Sequence, residues 1–341
     1  MDYREQIEKI TDRVIRADTG DKWMNIHYFD WSPGVGLYGI WEAYRATGRE
    51  AYLKFLTDWA DRHLEEAYDR LTVNSAAPML TILELWKVTG KERYLQVCRD
   101  IADRVLREAP RTREGGLEHT VTEAVPGFSE QIWADTLFMV CLFLIRLGQY
   151  TGERSYLDFG LEQFRIHHRL LFDPEADLYF HGWNCAAGNH MSAVHWGRAN
   201  AWIIYATGKI LEECGQFRGR EELEEKLRRH VRGLKAVQLE NGAFATVLED
   251  PTAYPEISAT GGIAAGICRA IRLGLVGEEY LPVCRRAAQA VSSYILEDGT
   301  VDSVSGGTPI MENAEAYKNI EITPTLYGQA LATLCLCEMG K

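Results

Sequence analysis

Thr47-Gly48-Arg49-Glu50-Ala51-Tyr52-Leu53 returns as Thr89-Gly90-Lys91-Glu92-Arg93-Tyr94-Leu95 and as Thr151-Gly152-Glu153-Arg154-Ser155-Tyr156-Leu157. A looser copy is Gly277-Glu278-Glu279-Tyr280-Leu281. The copies follow apolar runs, carry a glycine that can close a helix in the left-handed conformation, and reopen with charge. Each is the bend of a helical hairpin.

The unit extends beyond these copies. Apolar runs close on Gly48, Gly90, Gly152, Gly215, Gly274 and Gly340, from 42 residues apart (Gly48 to Gly90) to 66 (Gly274 to Gly340). The runs before them are apolar on nearly every side, as in Leu137-Phe138-Met139-Val140-Cys141-Leu142. Most stretches after them are amphipathic and charged, as in Arg220-Glu221-Glu222-Leu223-Glu224-Glu225-Lys226-Leu227. A helix apolar all round is buried, and an amphipathic one is half exposed. Six such pairs predict an all-α (α/α)6 toroid, an inner ring of helices wrapped by an outer ring, spanning 1–341 as one domain. Strand signals are almost absent. A solenoid is also built from helix pairs, but its repeats are more uniform in length, so the closed ring is favoured.

Closure makes the inner helices run parallel, with their N-terminal ends around one pole. Counting 16 or 17 residues back from each glycine reaches Trp31, Asn74, Asp135, Arg198, Ser258 and Thr323. Five of the six are polar, and each precedes an apolar run. The longest loops, Arg111 to Gln131, Asp173 to Val194 and Glu240 to Pro255, fall at the same pole. Long polar loops on a rigid scaffold are where sites are built.

The net charge of −12 argues against a nucleic-acid or polyanion partner. A small anionic ligand, which needs only one placed Arg, is compatible with it. The start of the chain has no signal-peptide pattern, and no apolar run reaches the ~18 residues of a membrane span. The eight cysteines form no CxxC and lie mostly in apolar helical stretches, which reads as reduced thiols in the cytoplasm. No metal-ligand spacing or phosphate loop occurs, so no metal or other cofactor is expected. No feature sets an oligomeric state.

Three phrases could carry chemistry. Asp135, in Gln131-Ile132-Trp133-Ala134-Asp135-Thr136-Leu137-Phe138-Met139, opens a helix. A carboxylate there can simply complement the helix dipole. The apolar run beside it predicts instead a poorly solvated acid with a raised pKa, suited to giving a proton. Arg198, in His195-Trp196-Gly197-Arg198-Ala199-Asn200-Ala201-Trp202, enters a buried helix and needs an anionic partner. That partner is either Asp135 or Glu256 in a salt bridge, or a ligand carboxylate. His181 lies in the aromatic turn Tyr179-Phe180-His181-Gly182-Trp183-Asn184, while His167-His168 reads as outer-helix surface.

At these phrases the chain resembles the unsaturated rhamnogalacturonyl and glucuronyl hydrolases, glycoside hydrolase family 105 with the related family 88. Asp30-Trp31-Ser32-Pro33-Gly34-Val35-Gly36 and Glu256-Ile257-Ser258-Ala259-Thr260 are weaker matches, and the order of all the phrases is the family's. The resemblance implies a metal-free (α/α)6 barrel that removes a 4,5-unsaturated uronyl residue from lyase-generated oligosaccharides. It implies Asp135 as the catalytic acid, and it places His181, Trp196, Arg198 and Trp133 around the sugar. Trp31 and His195 join them as further candidates for binding. Some relatives carry Asp where this chain has Asn74, which can bind a hydroxyl or a water but cannot act as a base. Asp135 is then expected to work alone.

Two other readings stand beside this one. A conventional inverting glycosidase of the same fold needs a second carboxylate about 6.5–9.5 Å away, for which Glu256 or Asp30 is available. A non-catalytic helical scaffold requires an exposed groove and no buried acid or Arg. Basic residues for sulphate are not evident in the long loops.

Overall fold

The computed structural model describes residues 2–17, 20, 23–120 and 128–341. The inner helices are α2 (Trp31–Thr47), α4 (Met79–Thr89), α6 (Leu142–Thr151, preceded by a wide π-type turn at Leu137–Cys141), α8 (Gly197–Glu213), α10 (Ile257–Arg272) and α13 (Leu326–Met339). The outer helices are α1 (Arg4–Ile15), α3 (Glu50–His63), α5 (Glu92–Glu108), α7 (Arg154–Leu171), α9 (Arg220–Ala236) and α11 (Leu281–Ser293). A thirteenth helix, α12 (Ala314–Lys318), crosses one pole as part of the final loop.

The ring closes where α13 packs along α2. A Cβ on Gly39 would lie 2.7 Å from the Cα of Ala330, so only glycine lets these two helices approach so closely. One apolar core runs through the ring, from Ile7 and Ile10 on α1 to Leu336 on α13. The outer helices are the amphipathic ones: α5 turns Val97, Ile101 and Val105 inward and leaves Arg104 and Arg107 outside.

Three repeat glycines, Gly48, Gly90 and Gly152, cap their helices in the left-handed conformation, and Gly274 adopts it two residues past Arg272, the end of its helix. Gly215 and Gly340 depart from the expectation. α8 ends on an extended Cys214, and Gly340 keeps a right-handed conformation. Thr323 also falls short of its helix, because α13 is capped by Thr325, which accepts from the Gly328 N–H. Strands are present but tiny: β1 (Gln131–Trp133) pairs antiparallel with β4 (Gly182–Asn184), and β2 (Phe172–Asp173) with β3 (Leu178–Tyr179). Strands of two or three residues are too short to carry an alternating pattern.

His167 and His168 are not on the surface. α7 turns both inward, His167 bonding the Gln163 carbonyl at 2.8 Å and His168 bridging Tyr179 and Thr207. Among the described residues no helix is long and apolar enough to cross a membrane, and all eight cysteines are free thiols.

Candidate active site

Asp135 owes its position to β1. The β1–β4 register sets Trp133 opposite Gly182, and the Ala134 N–H donates to the His181 carbonyl at 3.0 Å. The two segments are thereby locked together, and His181 Nε2 stands 3.4 Å from Asp135 Oδ2. The wide turn that follows starts from Asp135, whose carbonyl accepts from Phe138 and Met139. Such turns recur at functional sites because they re-aim the side chains around them.

Asp135 lies on the wall of a cavity of about 310 Å³ with Asn74, Trp31, Trp133, Trp196 and Arg198. His119, Trp23, Phe128 and the segment Gly307-Thr308-Pro309 complete the wall. The structure thus brings together Asp135 and five of the seven expected binding residues. His181 touches Asp135 from behind, and its ring lies 4.3 Å from Trp196. The loop expected at Arg111 to Gln131 contributes His119 and Phe128, while its residues 121–127 lie outside the described residues.

His195 stands apart from this wall. Its Nδ1 bonds Glu249 at 2.5 Å, its Nε2 faces Asp173 at 3.2 Å, and Phe180 stacks on it. Two carboxylates hold it as a brace between loops, which corrects its expected place against the sugar. The two candidate second carboxylates are also engaged. Asp30 caps α2 through the Trp31 N–H and pairs with Arg70. Glu256 is fully buried, caps α10 through the Ala259 N–H, and accepts from Ser305 N and Arg198. Neither reaches the cavity.

Arg198 meets one of its expected partners directly, Glu256. Its guanidinium pairs with Glu256 at 3.2 Å and donates to Ser305, Gly306 O and Thr308, sandwiched between Trp196 (4.3 Å) and Tyr327 (4.7 Å). It therefore pins the 305–308 loop against the cavity and also forms part of the wall.

Asn74 Oδ1 and Trp196 Nε1 are buried here without a partner, and Asp135 Oδ2 and His181 Nε2 face each other across a long 3.4 Å. Buried polar groups are normally satisfied, and a cluster of exceptions marks a place where something else binds. Burial pushes the Asp135 carboxyl up, as the sequence suggests, but His181, His119 and Arg198 together outweigh it. The net direction is downward, so the acid rests ionised, contrary to the expectation of a raised pKa. Burial lowers the pKa of both imidazoles, that of His119 to about 4.

His119, Trp23 and Phe128 had no sequence signal that set them apart. His119 stacks face to face on Trp133 at 4.4 Å and bonds Thr136 at 3.1 Å, which holds that indole in place. The aromatic wall suits the faces of a sugar ring, and the unpartnered polar atoms suit its oxygens.

The sequence profile of Glycosyl Hydrolase Family 88 matches residues 6–341. The chain is 36% identical over 339 residues to the unsaturated rhamnogalacturonyl hydrolase YesR of Bacillus subtilis, covering 99% of this chain and 96% of that one. Its fold is similar to that of a possible family 105 member from Salmonella enterica, with TM-score 0.93 and 31% identity over 98% of this chain and 93% of that one. The unsaturated glucuronyl hydrolase of Bacillus sp. GL1 shares the fold at TM-score 0.78 and 18% identity, over 98% and 95% of the two chains.

Proposed function

The chain belongs to glycosyl hydrolase family 88, and from that premise we propose that it removes a 4,5-unsaturated uronyl residue from the non-reducing end of lyase-generated oligosaccharides, with Asp135 as acid and base. The observation that carries the reading is that, among the described residues, Asp135 is the one carboxylate on the cavity wall, and Asn74, not a second acid, shares that wall.

The substrate's C4=C5 bond is part of a vinyl ether. A proton from Asp135 adds to C4, and the positive charge develops at C5, shared with the ring oxygen. Water adds to C5 as the Asp135 carboxylate takes its proton, which restores the acid. The hemiketal opens to a C5 ketone, C1 is thereby left a hemiacetal, and its collapse to the aldehyde expels the second sugar. No net proton is consumed, so one residue suffices.

An acid that rests ionised must be protonated before this cycle starts. The incoming uronate adds a like charge and expels water, and both effects raise the Asp135 pKa. Asn74 supports the attacking water or a ring hydroxyl, and Trp31, Trp133 and Trp196 support the sugar faces. Arg198 offsets the substrate carboxylate while fixing the 305–308 loop. Free, buried thiols fit the reducing cytoplasm as the place of action.

Asp135→Asn should reduce loss of the unsaturated chromophore's ultraviolet absorbance by at least about 10³-fold, with the fold intact. Full activity in that variant contradicts the assignment.

A further inference from the structure

Tyr317 is remote from Asp135 in sequence and does not line the cavity, yet it completes a chain of contacts to the acid. It sits on α12, whose Asn313 cap accepts from the Ala316 N–H at 3.0 Å and whose Lys318 pairs with Asp250 at 3.1 Å. These ties fix a short helix that could not hold itself. Tyr317 is fully buried, and its Oη lies 2.7 Å from His181 Nδ1, while His181 Nε2 faces Asp135.

We propose that Tyr317 is a positioning residue that decides which nitrogen of His181 carries the proton, and so lets Asp135 hold the proton it delivers. The inference rests on the proposed role of Asp135. A neutral imidazole has one N–H, and its partner on one nitrogen sets what the other can do. With Asp135 ionised, the Tyr317 O–H donates to Nδ1, and Nε2–H points at the carboxylate. With Asp135 protonated, the carboxyl O–H donates to Nε2, and Nδ1–H donates to Tyr317 Oη. The two states differ by one proton from solvent: the Nε2 proton passes to Asp135 while Nδ1 gains one. The hydroxyl proton then turns away from His181, on the side where Ser192 lies.

A hydroxyl can reverse its bond in this way, and few buried groups can. The other groups facing the pair do not replace it. His119 bonds Thr136, and Arg198 is committed to Glu256 and the 305–308 loop. Trp133 and Trp196 flank His181 through their rings.

Tyr317→Phe removes the reversible partner. A buried N–H without an acceptor is less tolerable than a bare ring lone pair, so the proton stays on Nε2 and holds Asp135 ionised. Activity requires the protonated acid, so the high-pH limb of the kcat profile should move to lower pH by about one unit, lowering kcat about tenfold on that limb. KM should stay within about twofold, because the cavity wall is unchanged. In ¹⁵N-histidine-labelled protein without substrate, acidification should move the His181 proton from Nε2 to Nδ1 in the wild type and leave it on Nε2 in the variant.

A uniform fall in kcat with an unmoved pH limb overturns the proposal. So does a wild-type His181 that keeps Nε2–H at every pH, a result that needs no variant to fold. An active Asp135→Asn protein would sink the functional reading instead, and the histidine signals would be untouched by it.

Discussion

The two poles of the ring treat buried charge in opposite ways. At the pole formed by the C-terminal ends of the inner helices, each helix contributes a charge: Glu42, Glu84, Arg146, Lys209 with Glu213, Arg269 and Glu338. Each has an opposite partner. Arg146 reaches Glu84 at 3.0 Å and Glu213 at 2.7 Å, Lys209 lies 3.5 Å from Glu42 and Glu213, and Arg269 joins Glu212 to Glu338. At the other pole Asn74 and Trp196 keep unpartnered atoms beside a cavity, and Asp135, met from behind by His181, has no guanidinium or ammonium of its own among the described ion pairs. Removing one partner from a satisfied network strands a buried charge. Unsatisfied groups can be completed by a substrate.

Paired substitutions break this comparison most sharply. Asp135→Asn should cost at least about 10³-fold in turnover and shift stability by less than about 1 kcal/mol, since it keeps the side chain's shape and adds no strain. Arg146→Met should do the reverse, costing about 3–5 kcal/mol in chemical unfolding with turnover per folded molecule preserved. An active Asp135→Asn protein, or an Arg146→Met protein folded as stably as wild type, would erase the distinction.

A smaller effect should appear with pH. Burial pushes Glu213 up, but Arg146 and Lys209 bring it from 4.5 down to about 2. Glu42 is lowered likewise, chiefly by Lys209. A folded pKa below the unfolded one gives stability that is fully present above about pH 4.5 and lost as pH falls through about 2. Unfolding free energy should therefore drop across that window, and the drop should be shallower in Arg146→Met. A flat acid profile would mean that the rear charges are not coupled to folding.

The ring was legible because its period is written in glycines and apolar runs, which the backbone must obey. Asp135 was legible for the same reason, as a polar residue at a fixed distance before Gly152. Its ionisation was not, because that depends on His181, held between β3 and β4, and on His119, a loop residue whose N–H donates to the Gln131 carbonyl of β1. The misplacement of His195 has the same origin: its neighbour Trp196 faces the cavity, while His195 faces Asp173 and Glu249. Tyr317 was hidden by a loop that returns to the site late in the chain, and a residue facing across space leaves no local pattern. The asparagine at 74 was visible from the start, and the structure sets it on the cavity wall with Asp135.

The central claim is that the proton goes to C4 and not to the glycosidic oxygen, and trapping in dilute methanol tests it most directly. Methanol competing with water should yield a product with a methoxyl group on C5, a new hydrogen on C4 and the second sugar still attached. A methyl glycoside at C1 with the C4=C5 bond intact would contradict the account.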